Sequence, residues 1–435
     1  MTITAGELLR RVLMAAGVDG VYGAQFGTLE ATQVPARVAE LFAAAHHRVH
    51  GVRAAVYRGD GIFALPPIEA GNRLCIAAES ADELIAAVPL LCSPCEVELR
   101  VSLDPDGQVA DLAPASAPAE ERWVDPARDT VEALRRAPSV TVLAGPGVVR
   151  HDAVSGLHDL AFAAGVGVLN TWGAKGVFDW RSRHHLATVG LQERDFELGG
   201  LGEVDLIIAT GLDPLEAPDA RWELAPALRV APGALAQLAE NAGDMRRSPA
   251  MPPVRALLAQ VTQRGWTKEE APLSPSRVTM NYAECLGTDG LLAADAGTAG
   301  FWVARTFGTT RLGAVIVPSA PTPGFAAACV AVARLRRHAR SALAVVDAPV
   351  DAQTFAVVDA AASLDVEVPV EIWDPDGEKL DAEAHRLRLR RLVLGRATGA
   401  DPSGGPGKAD QHTLATDPAQ LPEIVDVAGP IIAWT

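Results

Sequence analysis

Three apolar runs in the C-terminal third of the chain end in carboxylates. Leu291-Leu292-Ala293-Ala294 runs into Asp295-Ala296-Gly297-Thr298, Ala342–Val346 runs into Asp347, and Val370–Trp373 runs into Asp374-Pro375-Asp376. Carboxylate oxygens are the hard ligands that Mg²⁺ takes. In doubly wound sheets, ligands sit at the carboxyl ends of strands. If these acids converge they make a cation site; if they cap helices and turns they are dispersed. Pro349 and Pro375 stiffen the adjoining loops and favour dispersal. Asp295 has two readings of equal weight. It is a ligand contact, together with Gly297 and Thr298, or it caps the helix that GTAGFWVARTF forms.

Other constellations have plainer readings. Gly145-Pro146-Gly147 follows a strand and precedes a helix, where a phosphate can sit. It lacks the third glycine and the downstream acid of a dinucleotide fingerprint, so a tight turn is expected. Cys92 and Cys95 have redox or half-zinc spacing, but no second pair completes a site. They are expected as half-buried thiols at a helix end. His46, His47 and His50 have helical spacing. They are read, with Arg48 and Arg53, as a solvated surface, and so is His184-His185. The run Arg334, Arg336, Arg337, His338, Arg340 reads as the solvated end of a helix, where cations suit the macrodipole.

These residues need a scaffold of alternating strands and helices. ELLRRVLMAAG and ARVAELFAAAHHRV have helical periodicity, and VDGVYG and CEVELRVSL read as strands. SVTVLAGPG, VGVLNTW, VDLIIATG and LRVAPG are strands of a central block. GLLAADAG, GAVIVP, SALAVVD and VPVEIW are strands of a last block, with FAAACVAVARLRR and TFAVVDAAASL as helices and DPAQLPEIVDV and GPIIAW as a closing helix and strand. The near-continuous apolar strands fit parallel sheets covered on both faces. The fold class is α/β: three consecutive doubly wound domains with mostly parallel sheets, at 1–115, 126–263 and 275–435. ASAPAEERWVDPARD reads as a linker and ATGADPSGGPGKADQ as a mobile loop.

Composition narrows the class. The 435 residues are 49% hydrophobic and 21% charged, which suits a soluble globular chain. A net charge of −16 disfavours nucleic acid. Five cysteines do not make a secreted disulfide framework. The longest uncharged stretch, Gly313 to Ala333, carries Pro318, Pro321, Pro323 and Gly324. It reads as strand, loop and buried helix, with no membrane contact expected. No targeting segment is visible, so the chain is expected in the cytoplasm.

Taken in order, several segments resemble the thiamine-diphosphate-dependent enzymes of the acetolactate synthase and 2-oxoacid decarboxylase type. AGELLRRVLMAAGVDGVYG resembles the start of their pyrimidine-binding domain. VTVLAGPGVVRHDAVSGLHDLAFAAGVGVLNTWGAKGVF and VDLIIATGLDP resemble their central domain. LLAADAGTAGFWVARTF and DPAQLPEIVDVAGPIIAW resemble the two ends of their diphosphate-binding domain. The resemblance implies thiamine diphosphate and Mg²⁺ as cofactors, a homodimer or larger homo-oligomer, and chemistry next to a carbonyl carbon. It implies Asp295, Gly297, Thr298 and Gly324 as cofactor contacts, and Asp347, Asp374 and Asp376 as metal ligands.

The chain departs from that pattern where the chemistry lies. The family glutamate that activates the aminopyrimidine is not found; HHRVHGVRAA stands in the corresponding stretch. The Gly-Asp-Gly motif is Asp347-Ala348-Pro349, the later asparagine is replaced by Asp374-Pro375-Asp376, and only Gly324 survives of the Gly-rich loop. The first domain is shortened. The expected protein is a degenerate member in which cofactor binding is weak or lost. Such a chain acts as a pseudoenzyme, a partner subunit or an enzyme with changed chemistry. The alternative is a thiamine-diphosphate-dependent lyase or carboligase with atypical ligands.

Overall fold

A computed structural model of the chain describes residues 2–68, 72–114, 128–243, 245, 247–336, 338, 341–394 and 411–434. The expected linker at 115–129 and the Gly/Pro/Ser-rich loop at 397–411 lie almost wholly outside the described residues. Two compact units form. One comprises Met1–Glu120, Ala331–His338 and Ala352–Val366; the other comprises Glu121–Val330, Ala339–Asp351 and Glu367–Thr435.

The first unit holds a five-stranded mixed sheet, ordered Val18–Gly23, Arg53–Gly59, Ile62–Leu65, Val97–Val101, Leu74–Ala78. The outer pairs are parallel, and Ile62–Leu65 is antiparallel to both its neighbours. Helix Ala5–Ala15 opens on Thr4, whose side chain accepts from Glu7 N at 3.2 Å. Leu8, Leu9, Val12 and Leu13 on that helix are buried in the same core as Phe63, Leu65, Val97 and Leu99. The stretch expected to hold the missing glutamate is not a strand end: His46–His50 is the last turn of helix Ala36–His50, and Arg53 opens the next strand.

The histidines of that turn are not a fully solvated surface: His47 and His50 are half-buried. His46 is fully buried, and its Nδ1 lies 2.9 Å from Tyr22 Oη. Its ring packs at 4.6 Å from His50, whose ring packs at 5.0 Å from His338. The helical period that made them look like one polar stripe turns part of the stripe inward. Arg53 is buried as well. Its guanidinium donates to the carbonyls of Leu91, Ser93, Leu65, Pro66 and Cys95, so five backbone acceptors stand in for water. Cys92 and Cys95 are half-buried at the end of helix Val88–Leu91, as expected.

The second unit holds two five-stranded, all-parallel sheets. The first is ordered His185–Val189, Gly167–Thr171, Val140–Ala144, Leu206–Thr210, Ala227–Arg229. The second is ordered Val315–Ile316, Leu291–Ala294, Ala342–Asp347, Val370–Glu378, Gln411–Leu414. Both are doubly wound in the sense the apolar runs imply. Gly145 and Gly147 make a tight turn: their amides donate to Thr210 O and Gly211 O, and a side chain at either would run into the Gly211 backbone. His184 is buried rather than solvated, with Nδ1 2.8 Å from Val166 O. GPIIAW is not a strand; it makes one isolated bridge, Ile431 to Gln192. Val370–Glu378 does not stop at Trp373 but continues through an irregularity to Glu378. No described helix is long and apolar enough to cross a membrane.

One ion pair in this unit is wholly buried. Arg305 Nη2 donates to both Asp195 oxygens at 2.8 and 2.7 Å, and Asp195 also accepts from the amides of Leu191 and Gln192.

Burial first, then the charge of His50 on His46 and of His338 on His50, with Arg336 nearby, depresses His46 and His50 to about 4. An unfolded histidine titrates near 6.5, so the unfolded chain binds more protons between about 6.5 and 4. The stability these two groups contribute to the first unit is therefore complete above pH 6.5, falls as pH drops from 6.5 towards 4 and is lost below 4, at about 1.4 kcal/mol per unit of displacement for each group. Urea unfolding at pH 7 and pH 4.5 should show this loss, and His50→Gln should flatten it. An unchanged pH slope in the variant would remove the histidines as its cause.

Candidate functional site

The carboxyl edge of the last sheet is built from two strand-to-helix turns. Leu291–Ala294 delivers Asp295, and helix Thr298–Thr306 follows. Ala342–Asp347 pairs beside it in parallel, so Asp347 reaches the same edge. Each carboxylate closes a helix N-terminus. Asp347 accepts from Ala299 N at 3.0 and 3.3 Å, capping Thr298–Thr306. Asp295 accepts from Ala326 N at 2.7 Å and from Gly324 N at 3.1 Å, capping Phe325–Leu335. Asp295 is thus a cap, but of a later helix than the one following it in sequence. That following helix is capped instead by Asp347, 48 residues further along the chain.

Gly297 makes this possible. Its φ is +139°, and a Cβ there would collide with Asp347 Oδ2. Burial pushes the Asp295 carboxyl up to about 6, against the pull of the Ala326 and Gly324 amides, and Asp347 and Asp351 add to the rise. Burial also raises Asp347, opposed by the amides of Ala299 and Thr298. The amides of Ala299 at one helix, and of Gly324 and Ala326 at the other, are thereby matched to carboxylates of this chain.

A cavity of about 300 Å³ lies against this edge, lined by Ala296, Gly297, Thr298, Pro321, Ile431, Ala433 and Trp434. Its walls are tied down by polar contacts. Pro318 O accepts from Trp434 Nε1 at 2.7 Å and from Trp172 Nε1 at 3.2 Å. Buried Glu216 accepts from Ser319 Oγ and Thr171 Oγ1, both at 2.5 Å, and from Gly173 N at 2.9 Å. The closing segment is held by Ile432 N to Leu191 O at 2.9 Å, and by Gln192 Nε2 to Gly429 O at 2.7 Å.

The structure brings Asp295, Gly297, Thr298, Gly324 and Asp347 to one place. Among the described residues it places no hydrogen bond or ion pair between them and Asp374 or Asp376: Asp374 accepts from the amide of exposed Asp376 within the irregular end of strand Val370–Glu378. Among the described residues, no group of three or more His, Cys, Asp or Glu is arranged to hold a metal ion. Sequence reasoning missed Ile431, Ala433 and Trp434 as lining residues, and Glu216 as the anchor. No spacing signal marks them, because they come from segments far apart in the chain. The helix Phe325–Leu335 is buried from Phe325 to Ala333, as its uncharged run implies.

A diphosphate at these helix termini would meet two carboxylates in place of open amides, so the donors present do not fit that group as it stands.

Residues 127–232 match the family model of the thiamine pyrophosphate enzyme central domain. The X-ray structure of a candidate thiamin diphosphate-dependent enzyme from Mycobacterium smegmatis shares the fold, with a TM-score of 0.67 and 15% identity. The likeness covers 95% of this chain and 99% of that one. No curated protein matches the chain.

Ionising Asp295 works against folding, because its folded value lies above the unfolded one near 3.9. The stability it contributes is complete below about pH 4 and is lost as pH rises through 6. Asp295→Asn, which removes the charge but also one of the two oxygens that accept from Ala326 N and Gly324 N, should lower the melting temperature at pH 4.5 and lower it by less at pH 8. An equal loss at both values would show that ionising Asp295 does not work against folding.

Proposed function

We propose, for a chain that belongs by its central domain to the thiamine pyrophosphate enzyme superfamily, that the protein is a degenerate member that no longer activates thiamine diphosphate. It serves as a small-molecule-binding protein or partner subunit, or carries out changed chemistry. The observation that carries this reading is the closure of both helix N-termini by Asp295 and Asp347. A diphosphate and its Mg²⁺ would have to displace those carboxylates or recruit them. Asp347, Asp374 and Asp376 would be the ligands nearest the family pattern, and Asp374 already accepts from the Asp376 amide within strand Val370–Glu378. The stretch HHRVHGVRAA supplies no glutamate at the pyrimidine position.

A second reading is supported by the cavity beside Gly297 and Thr298. In it the chain is a thiamine-diphosphate-dependent lyase or carboligase acting on 2-oxo acids with atypical ligands, and Asp295, Gly297, Thr298 and Gly324 touch the cofactor. About 300 Å³ is room for a small ligand in either case.

The two readings separate on binding. A ligand that binds only the folded state adds about 2.7 kcal/mol at a hundredfold excess over its dissociation constant. Thermal melts with millimolar thiamine diphosphate and Mg²⁺ should show almost no shift. A rise of several degrees would favour the second reading.

The proposal extends to organisation. The chain comprises three α/β domains at 1–115, 126–263 and 275–435, works in the cytoplasm, and assembles as a homodimer or larger homo-oligomer without nucleic acid or membrane. Closed symmetric assembly is the commonest state of soluble oligomers. Light scattering at micromolar concentration should return at least twice the 45.5 kDa chain mass. A monomer would overturn this part alone.

A further inference from the structure

The cavity at the carboxyl edge of the last sheet has walls whose chemistry selects among ligands. Its side chains are the methyls of Ala296 and Ala433, the ring of Pro321, Ile431, the indole of Trp434 and one hydroxyl, that of exposed Thr298. Among the described residues, no lysine, arginine or histidine lines it. An anion entering it meets no cationic side chain.

The nearest charges repel an anion. Asp295 directly precedes the lining residues Ala296, Gly297 and Thr298, and Asp347 Oδ2 occupies the space that a Gly297 Cβ would take. A helix N-terminus ordinarily attracts anions through its open amides. Here the amides of Ala299, Gly324 and Ala326 are already bonded to those two carboxylates, at 2.7–3.1 Å.

One wall is a large aromatic ring held in a fixed pose. Trp434 Nε1 donates to Pro318 O at 2.7 Å, and Cη2 at the other end of the indole lies 3.3 Å from where a Gly300 Cβ would stand. Trp172 meets this ring edge-on, with centroids 5.7 Å apart, and donates to the same carbonyl at 3.2 Å. The Trp434 backbone has φ +63°, a region that bulky residues rarely take, so packing rather than local preference puts the ring there. With its N–H already bonded, the indole offers a ligand aromatic surface and no further donor. The cavity volume of about 300 Å³ is roughly twice that of an apolar cavity that holds benzene, so one or two fused rings fit.

We propose that this cavity binds small uncharged aromatic molecules of one or two fused rings against Trp434, and rejects their carboxylated or phosphorylated counterparts. The inference rests on the reading of the chain as a small-molecule-binding protein that no longer takes thiamine diphosphate. The ligand's apolar surface leaves water for the methyl, proline and isoleucine walls. The indole adds an aromatic contact. The Thr298 hydroxyl is the one lining side chain that can meet a polar atom of the ligand. Asp295 and Asp347 repel an anionic substituent across a medium less polar than water.

5-Fluoroindole is the probe, and 5-fluoroindole-2-carboxylate is its anionic counterpart. Broadening of the fluorine NMR line by the full chain at pH 7.5 reads the binding of each. The neutral probe should bind at least about tenfold more tightly than the carboxylate. Trp434→Ala, which removes a wall, and Ala296→Leu, which fills the space, should each weaken the neutral probe at least about tenfold. Asp295→Asn should narrow the gap between the two probes, because it removes one repelling charge. No broadening of the neutral probe by the unaltered chain, or equal binding of the carboxylate, would overturn the proposal whether or not the variants fold. Binding unchanged in both cavity variants would put the probe elsewhere and overturn it too. Melts with thiamine diphosphate and Mg²⁺ keep the two readings apart. No shift there, combined with no binding of fluoroindole, sinks this inference and leaves the reading it rests on standing. A rise there, with fluoroindole displaced by the cofactor, sinks that reading.

Discussion

The carboxyl edge of the last sheet depends on one constraint: an opened helix must find acceptors for its first amides. The terminus carries about half a positive charge in addition to those unpaired donors. Asp347 meets this need for Thr298–Thr306, and Asp295 meets it for Phe325–Leu335. Both carboxylates are half-buried, so each loses part of its solvation, which those amides offset. The exchange of caps between strands locks two strand-to-helix turns together. It leaves Gly297 with no room for a side chain and sets the floor of the cavity at Ala296, Gly297 and Thr298.

The same rule accounts for most buried polar groups in both units. Arg53 is ringed by five carbonyls, and Asp195 takes both Arg305 and two amides. Glu216 ties the loops after two strands to Ser319. Glu371 is enclosed by Tyr282, His385 and His412. The two histidines hold it below the usual carboxylate range despite burial, and the pair of charge and desolvation pushes the Tyr282 hydroxyl well up. Removing one partner from such a set leaves the other desolvated and unpaired, which costs more than the pair contributes.

Much of the scaffold was legible because parallel strands covered on both faces must be apolar throughout. Val140–Ala144, Leu206–Thr210, Leu291–Ala294 and Ala342–Val346 are each continuous apolar or near-apolar runs, and each is a buried strand. His185–Val189 and Ile62–Leu65 were not legible. The first begins on a half-buried histidine, and the second is a short hairpin arm between turns. The histidines of Ala36–His50 were misread because helical spacing gives a face but not which way it points.

The sequence by itself determined the α/β class, the order of its apolar strands and the acids that end three of them. It did so because strand burial, helix periodicity and turn chemistry are local. Only the tertiary structure decided what those acids do. Which helix Asp295 caps depends on the pairing of strands about fifty residues apart, and nothing within reach of Asp295 in sequence encodes it. The same holds for the cavity, part of whose lining comes from Ile431, Ala433 and Trp434. Contacts of that range are fixed by packing, and packing is a property of the folded chain.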